Sequence, residues 1–307
     1  MKQHYQILNI GGGTSGIMVA AQLQKKQSGL SIAIIEPSDT HYYQAAFTLV
    51  GAGTYAMHKT KRSEASLIPS GVDWIRDKAM AVYPDENKVT TEKNGNIGYD
   101  YLVVAPGLVN DLSLIEGLED ALQKGVVCSN YINPEHTWEC LKNFKGGNAI
   151  FTQPATPIKC GGAPQKAMYL AADYFRKKGI SDKTNVVFAT PGTVIFGVKS
   201  IADTLMSVIN RYNVNLKLFH TPVKIDADKR LVYFKDATPN EKKEGSKTIH
   251  GATVTEDNLL AVPFDFLHLA PPQTAPGFIR KSDLCNDAGW LDVDINSLQH
   301  KKYSNVF

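Results

Sequence analysis

The chain has 307 residues, of which 43% are hydrophobic and 21% charged, and its net charge is +3. This composition is typical of a globular protein that is long enough for two domains. The charge is too small and too evenly spread to predict a nucleic-acid partner. The cysteines lack the close spacing of a zinc site or a secreted disulfide framework, so we predict a reducing compartment and no metal; they lie at 128, 140, 160 and 285.

Membrane signals are weak in this sequence. The first residues, MKQHYQILNI, do not combine a positive segment with a long apolar one, as a signal peptide does. No run approaches the roughly 18 apolar residues of a membrane-spanning helix. We therefore expect the protein to meet a membrane from outside, or through residues that this chain lacks.

The first predicted elements are a strand, a tight turn and a helix. The apolar residues 5–10 (YQILNI) lead into a G-x-G-x-x-G fingerprint made by Gly11, Gly13 and Gly16, and Glu36 follows twenty residues after Gly16. Gly11 permits the turn, Gly13 lets the backbone approach a pyrophosphate, and Gly16 lets the helix pack closely on the strand. Glu36 can accept hydrogen bonds from a ribose hydroxyl. The dinucleotide-binding residues predicted here are Gly11, Gly13, Thr14, Ser15, Gly16, Glu36 and Pro37.

The next elements occur twice along the chain. Residues 81–107 predict short alternating strands and then an apolar strand that ends at Ala105-Pro106-Gly107. Residues 223–272 repeat this layout, so that YDYLVVAPG at 99 aligns with FDFLHLAPP at 264. The repetition predicts an α/β protein with two Rossmann-like domains, each a parallel sheet with a small antiparallel meander.

The second predicted domain lacks the glycine fingerprint. Its first strand, NAIFT at 148–152, leads into QPATPIKCGGAPQK, and the candidate at 185–197, NVVFATPGTVIFG, has no fingerprint either. One nucleotide site is therefore predicted to be intact and the other altered, which argues against a nicotinamide substrate. The predicted domains are 1–112, the second domain 113–285, and a return to the first at 286–307.

Cys160 lies at the altered turn, between Lys159 and a helix predicted to begin at Pro164 and end at Gly179. A thiol beside a cation at a helix N-terminus is favoured as the nucleophilic thiolate. The neighbouring glycines would let a small substrate approach the sulfur. An inert, buried cysteine is equally compatible with this local sequence, so both interpretations stay open on the residues alone.

Several segments together resemble one known family, the sulfide:quinone oxidoreductases, and especially its mitochondrial branch. They are HYYQAAFTLVGAG (41–53), YDYLVVAPG (99–107), the stretch around Cys160 (150–179), FLHLAPP (266–272) and AGWLDVDINSLQHKKYSNVF (288–307). The resemblance covers essentially the whole chain. It implies a flavoprotein that binds FAD, oxidises sulfide at a redox-active cysteine pair on one face of the flavin, and passes electrons to a membrane quinone.

The resemblance also implies roles for single residues. Cys160 matches the first cysteine of the redox pair, and Lys166 matches a lysine near the active site, although it would also suit an exposed helix. Cys128 lies where some branches carry a third cysteine, so it could relay sulfur, pair with Cys160, or be inert. Cys140 and Cys285 are predicted to be structural, Cys140 on a helix capped by Asn133.

Further flavin contacts follow from the same resemblance. The loop after Glu36 places Asp39 and Tyr43 in a flavin-facing position, with an exposed loop as the alternative. Contacts are also predicted for the ends of the two repeated segments, at Ala105, Pro106, Gly107 and Pro272.

Family members continue beyond a Val-Phe like that at 306–307 into a flavin-binding Gly-Asp motif, the second redox cysteine and amphipathic helices for quinone and membrane. We therefore expect a truncated chain that cannot complete turnover and holds FAD weakly. The intact protein is expected at a membrane surface, facing the cytoplasm or the mitochondrial matrix, with a small-molecule sulfur acceptor and an undefined oligomeric state. The alternatives are a flavin-dependent NADH:quinone oxidoreductase, which needs a second fingerprint and has no use for Cys160, and a non-catalytic flavin-binding fragment.

Overall fold

The computed structural model describes residues 2–242 and 247–307 and divides them into two compact units. The first unit contains the residues up to Tyr43 together with Lys61–Val109 and Thr274–Phe307. The second contains Gln44–Thr60 and Asn110–Gln273. This division differs from the predicted domains at 44–60, at 110–112 and at 274–285.

The helices and strands alternate along most of the chain. The helices are α1 Thr14–Lys26, α2 Phe47–Gly51, α3 Leu118–Gln123, α4 Pro134–Asn143, α5 Ala163–Lys178, α6 Lys199–Arg211 and α7 Gly277–Arg280. The strands are β1 His4–Ile10, β2 Ile32–Ile35, β3 Thr40–Tyr42, β4 Lys61–Ser63, β5 Val72–Ile75, β6 Ala79–Tyr83, β7 Lys88–Thr91, β8 Gly95–Val104, β9 Val109–Asn110, β10 Gly147–Thr152, β11 Thr184–Ala189, β12 Asn215–Lys217, β13 His220–Asp226, β14 Leu231–Asp236, β15 Thr253–Val254, β16 Leu259–Pro263, β17 Phe266–Leu269 and β18 Gln273–Thr274.

The first unit is built on a six-stranded sheet in the order β5-β2-β1-β8-β7-β6. The strands β5, β2, β1 and β8 run parallel, whereas β7 and β6 form an antiparallel meander. Every residue of β2 is buried, as expected for an apolar strand covered on both faces. The predicted parallel sheet with a small meander is therefore confirmed in this unit.

The last residues of the chain extend the first unit's sheet. The Val104 amide donates to the Phe307 carbonyl at 2.7 Å, and the Leu102 amide donates to the Asn305 carbonyl at 2.9 Å. Val306 is fully buried. One edge of β8 therefore pairs with β7 near its start and with residues 305–307 near its end.

The second unit contains a parallel sheet in the order β12-β11-β10-β17 and an antiparallel sheet in the order β13-β14-β16-β15. The helix α5 packs its apolar side, including Met168 and Phe175, into a core with Phe151 of β10. Gly179 ends α5 with φ of +71°, as predicted, and the helix begins one residue before the predicted Pro164. The predicted α/β class with two such sheets is confirmed.

The segment 44–60 belongs to the second unit because two glycines allow close packing there. A Cβ at Gly51 would lie 1.9 Å from the Asn130 side-chain oxygen, and one at Gly53 would lie 2.5 Å from the Trp138 ring. Larger residues would separate α2 from these partners. Within the described residues, no helix has the length and apolar character needed to cross a membrane.

Candidate functional site

The glycine fingerprint forms the turn between β1 and α1. Gly11 has φ of +105°, and a Cβ on it would lie 2.2 Å from the Ala105 carbonyl oxygen. A Cβ on Gly16 would lie 2.0 Å from the Gly11 carbonyl oxygen, so the helix approaches the strand as closely as predicted. Gly13 differs from both, because a Cβ on it would meet no atom within 4 Å.

The open side of this turn has the chemistry of an anion site. Gly13 caps α1 without a side-chain hydrogen bond, and the first turn of the helix carries no acidic residue. The first amides of a helix have no partner within the helix and carry the positive end of its dipole. A pyrophosphate placed against Gly13 would therefore meet free N–H groups and an open backbone.

Glu36 is held at the same turn. One of its carboxylate oxygens accepts from the Gly12 amide and the other from the Ser38 amide, both at 2.8 Å. The Trp74 ring donates to the Glu36 carbonyl at 3.0 Å. Each carboxylate oxygen keeps a second acceptor site, which leaves Glu36 able to accept from a ribose hydroxyl as predicted.

A second carboxyl group, Glu64, lies beside the fingerprint, and sequence analysis missed it. Glu64 is 1% exposed, and one of its oxygens has no hydrogen-bond partner. A Cβ on Gly12 would lie 2.4 Å from that oxygen. Burial raises the pKa of Glu64; the nearby charge of Glu36 also raises it, and His41 opposes the shift. A buried carboxyl group whose pKa is raised therefore lies directly behind the turn.

The other residues predicted to bind the cofactor occupy different surroundings. The Ala105 amide donates to the Ile10 carbonyl at 2.8 Å, which keeps Ala105 and Pro106 next to the fingerprint turn. Gly107 follows with φ of +77°. Tyr43 is 62% exposed. The roles of Thr14, Ser15, Pro37, Tyr43, Ala105, Pro106, Gly107 and Pro272 in cofactor binding stay predictions; Pro272 is buried, and its carbonyl accepts from the Asp111 amide at 2.8 Å.

A cavity of about 490 Å³ opens at the other end of β1, away from the fingerprint. Its lining includes His4, Lys88 and Asp100 and none of the predicted site residues. Two of these, His4 and Asp100, are hydrogen-bonded to each other at 2.8 Å. The geometry gives this cavity no role in dinucleotide binding.

Cys160 lies in the loop before α5, and its side chain is exposed. The Lys166 ammonium donates a hydrogen bond to the Cys160 sulfur at 3.4 Å. Cys160 has φ of +65°, a left-handed conformation that is uncommon for a residue other than glycine. The alternative of a buried cysteine is wrong at this position. The loop instead presents a thiol to solvent in contact with a cation.

The Cys160 loop is anchored by residues that are distant in sequence. Gln273 is 6% exposed, and its side-chain oxygen accepts from the Lys159 amide at 2.8 Å. The backbone N–H of Gln273 in turn donates to the Thr156 hydroxyl at 2.9 Å. The Lys159 ammonium donates to the Gln44 side chain at 3.0 Å, and burial lowers the pKa of Lys159. No local pattern marks Gln273, which acts across 114 positions of sequence.

Tyr131 is a further neighbour of the thiol that sequence analysis missed. Its hydroxyl is buried and has no hydrogen-bond partner. Burial raises the pKa of Tyr131, and the nearby charge of Cys160 adds to the shift. A neutral phenol, able to donate a hydrogen bond, therefore lies close to Cys160.

Cys128 is placed away from these groups. It is 2% exposed, its sulfur donates to the Leu267 carbonyl at 3.4 Å, and burial raises its pKa, with Cys140 adding to the shift. Sequence analysis considered Cys160 as the partner of Cys128 and gave Cys140 a structural role. The predicted cap of α4 is confirmed, since the Asn133 side chain accepts from the His136 amide at 3.1 Å. Across residues 2–242 and 247–307, no group of three or more His, Cys, Asp and Glu side chains could hold a metal ion.

The fold and the glycine turn are those of the dinucleotide-binding class of proteins, and the second unit carries an exposed thiol. Residues 5–139 match the family model described as pyridine nucleotide-disulphide oxidoreductase. The mitochondrial sulfide:quinone oxidoreductase of Mus musculus is 41% identical over all of this chain and 65% of its own length. That of Schizosaccharomyces pombe is 35% identical over 99% of this chain and 67% of its own length. The chain belongs to the sulfide:quinone oxidoreductase family, which confirms the resemblance.

A solved structure agrees with this assignment at the level of the fold. The sulfide:quinone oxidoreductase of Aquifex aeolicus superposes with a TM-score of 0.79 at 22% identity, covering all of this chain and 67% of that one. The chain spans about 65% of the length of the mouse relative. The family consists of FAD-dependent oxidoreductases, so the predicted cofactor class is confirmed. The open backbone at Gly13 and the anchored Glu36 fit the pyrophosphate and ribose of FAD.

Proposed function

We propose that the whole protein oxidises sulfide at Cys160 and passes the electrons through FAD to a quinone. The observation that carries the proposal is the hydrogen bond from Lys166 to the exposed Cys160 thiol at 3.4 Å. The similarity to the sulfide:quinone oxidoreductases of Mus musculus and Schizosaccharomyces pombe supports the same substrate and acceptor. A cation in hydrogen-bond contact with the sulfur favours a chemical role for this cysteine over an inert one.

In this proposal the first unit binds the cofactor. The amides at the start of α1 bind the pyrophosphate at Gly13, and Glu36 accepts from the adenosine ribose. When bound, FAD supplies a two-electron acceptor that can be reoxidised by a quinone. The hydrogen bonds from Gly12 and Ser38 keep the Glu36 carboxylate in position for this contact.

The second unit supplies the sulfur chemistry. Sulfide would attack the Cys160 sulfur of a disulfide with the partner cysteine, so that this S–S bond breaks, the partner cysteine leaves as a thiolate and Cys160 carries a persulfide. A small-molecule nucleophile would then take the outer sulfur and leave the Cys160 thiolate. Bound FAD would supply the two-electron acceptor that allows the two thiolates to return to the disulfide. Lys166 stabilises negative charge on the thiolate and on the persulfide that forms there. Gln273 and Thr156 hold the loop that carries Cys160. The partner cysteine of the redox pair is proposed to lie in the third of the family sequence that this chain does not span.

The proposed location follows the relatives, which are named as mitochondrial. A quinone acceptor requires contact with a membrane surface, and we propose peripheral contact, made by parts of the whole protein outside these residues. Cys128 is proposed as an auxiliary thiol, because it is buried and its sulfur donates to the Leu267 carbonyl.

The test is an anaerobic titration of sulfide into the FAD-loaded protein, followed by the flavin absorbance. It uses this chain and a longer form that carries the second redox cysteine. We expect sulfide to bleach the flavin absorbance of the longer form, and a soluble quinone to restore that absorbance. The Cys160→Ser variant of the longer form should not be bleached by sulfide. Bleaching by NADH without any response to sulfide would replace the proposal with the NADH:quinone oxidoreductase alternative.

A further inference from the structure

His268 of β17 is a buried histidine whose ring is hydrogen-bonded through one nitrogen only. It is fully buried, and its Nε2 accepts from the Asn130 amide at 3.1 Å. A backbone N–H can only donate, so Nε2 carries no proton. Burial lowers the pKa of His268 to about 4, so the ring is neutral at pH 7. The imidazole proton therefore lies on Nδ1, which has no hydrogen-bond partner among the residues that the structure describes.

A second polar atom without a partner belongs to the residue that bonds this ring. The side-chain oxygen of Asn130 is buried and accepts no hydrogen bond from the described residues. It lies close to α2, because a Cβ on Gly51 would be 1.9 Å from it. Native proteins rarely leave a buried donor or acceptor unpaired, because each one costs free energy. Here His268 offers an unpaired donor and Asn130 an unpaired acceptor.

Both residues line one small cavity inside the second unit. Its volume is about 10 Å³, which suits a single water molecule and nothing larger. Helices α2, α4 and α5 and strands β10 and β17 contribute to its wall. Much of that wall is apolar, with side chains such as Leu141, Phe151 and Ala171. The polar groups of Asn130 and His268 distinguish this space from an apolar cavity, which would stay dry.

We propose that this cavity binds one water molecule, which accepts from His268 Nδ1 and donates to the Asn130 side-chain oxygen. Its second O–H is donated to the Thr137 hydroxyl, which belongs to a buried residue of the same wall. That hydroxyl donates its own proton to the Asn133 carbonyl at 3.4 Å, so its lone pairs stay available. The water thus makes three hydrogen bonds, the usual number for a buried water molecule.

The bound water links three parts of the second unit, which are α4, β17 and the segment at Asn130. By pairing with Nδ1 it holds the imidazole of His268 in the tautomer whose Nε2 accepts from the Asn130 amide. By pairing with the Asn130 oxygen it keeps that side chain against Gly51, where a larger residue would displace it. The site needs neither FAD nor Cys160, so it does not depend on the proposed function.

The direct test is a high-resolution crystal structure of this chain. We expect one ordered water oxygen within about 3.2 Å of both His268 Nδ1 and the Asn130 side-chain oxygen. A direct hydrogen bond between those two atoms, or no ordered water between them, would overturn the proposal. NMR of the imidazole nitrogens gives an independent check, because Nδ1 should carry the proton from about pH 6 to about pH 8. A proton on Nε2 would also overturn the proposal.

Variants test the same site in solution, through the rate at which the Nδ1 proton of His268 exchanges with solvent. Thr137→Val removes one contact of the water and should raise this rate at least about threefold. The matched control is Thr204→Val on α6. The Thr204 hydroxyl also donates to the carbonyl four residues earlier, at 3.1 Å, but this residue is exposed and does not line the cavity.

Equal exchange rates in the two variants would overturn the arrangement of three hydrogen bonds around the water. If Thr137→Val does not fold, the crystal structure and the tautomer of His268 still decide the proposal.

Discussion

The Lys166 ammonium donates to the Cys160 sulfur at 3.4 Å across six residues of sequence, because the first turn of α5 directs the lysine back over the loop. Lys166→Met should therefore slow alkylation of Cys160 by iodoacetamide at pH 7 by roughly 3- to 10-fold, since the thiolate loses its counterion near solvent. The rate is measured by mass spectrometry of the Cys160 peptide.

The matched control for this variant is Lys177→Met on the same helix. Lys177 forms an exposed ion pair with Asp173 at 2.7 Å and has no contact with the thiol. The Lys177→Met variant should leave the alkylation rate of Cys160 unchanged. Equal rates in the two variants would show that Lys166 does not stabilise the thiolate.

The glycines of the fingerprint should respond differently to a methyl group. Gly16→Ala places a Cβ 2.0 Å from the Gly11 carbonyl oxygen, so we expect a loss of about 1–3 kcal/mol in the free energy of unfolding as well as loss of FAD. In Gly13→Ala the new Cβ meets no atom within 4 Å, so the free energy of unfolding should be nearly that of the parent chain. Its FAD affinity should nevertheless fall at least about tenfold, because the methyl group occupies the pyrophosphate surface.

Chemical unfolding and FAD titration, followed by fluorescence, measure these two effects separately. If Gly13→Ala binds FAD as tightly as the parent chain, the open side of the fingerprint turn is not the pyrophosphate site. If Gly16→Ala is fully stable, the helix can move away from the strand more easily than the structure indicates.

Gln273 is expected to position the Cys160 loop without touching the reacting sulfur. Gln273→Leu removes the acceptor of the Lys159 amide and the donor to the Asn110 side chain, at 2.8 and 3.0 Å. The amides of residues 156–162 should then exchange hydrogen faster, by about tenfold, because a buried donor has lost its partner. Gln273→Glu retains the acceptor and should restore most of the protection. Unchanged exchange in Gln273→Leu would show that other contacts hold the loop.

Glu64 should make the stability of the protein depend on pH. Burial raises its pKa above 4.5, so the folded state binds the proton more tightly than the unfolded state. Its contribution is fully present below pH 4.5 and is lost as pH rises through the folded-state pKa. Glu64→Gln removes this loss, so the variant should gain stability relative to the parent as pH rises from 4.5 to 7.5. Urea unfolding across that range measures the free energy of unfolding of both proteins. If this free energy depends on pH in the same way in the parent and in Glu64→Gln, the raised pKa of Glu64 is contradicted.

The features that sequence analysis predicted are those encoded by local spacing. The fingerprint, its acid at Glu36 and the cap of α4 at Asn133 each depend on residues within one strand-turn-helix unit or one helix turn. Their geometry follows from backbone conformation, which neighbouring residues determine.

The features that were missed depend on contacts between distant segments. Glu64 and Gln273 reach their sites only after the chain has folded, and neither belongs to a motif. The segment 44–60 joins the second unit because Gly51 packs against Asn130. No pattern of hydrophobic residues along the sequence predicts this contact. Cys128 is buried because a β-bridge joins it to His268, 140 positions later in the sequence than Cys128 itself, which no local pattern predicts.

The chain passes from one unit to the other four times, after Tyr43, Thr60, Val109 and Gln273. Neither unit is therefore a continuous stretch of gene, and no single crossover could exchange one of them intact between relatives. A gene fragment for 110–273 alone would lack Gly51 and leave Asn130 without its packing partner. A transfer of the second unit between relatives would have to carry both 44–60 and 110–273.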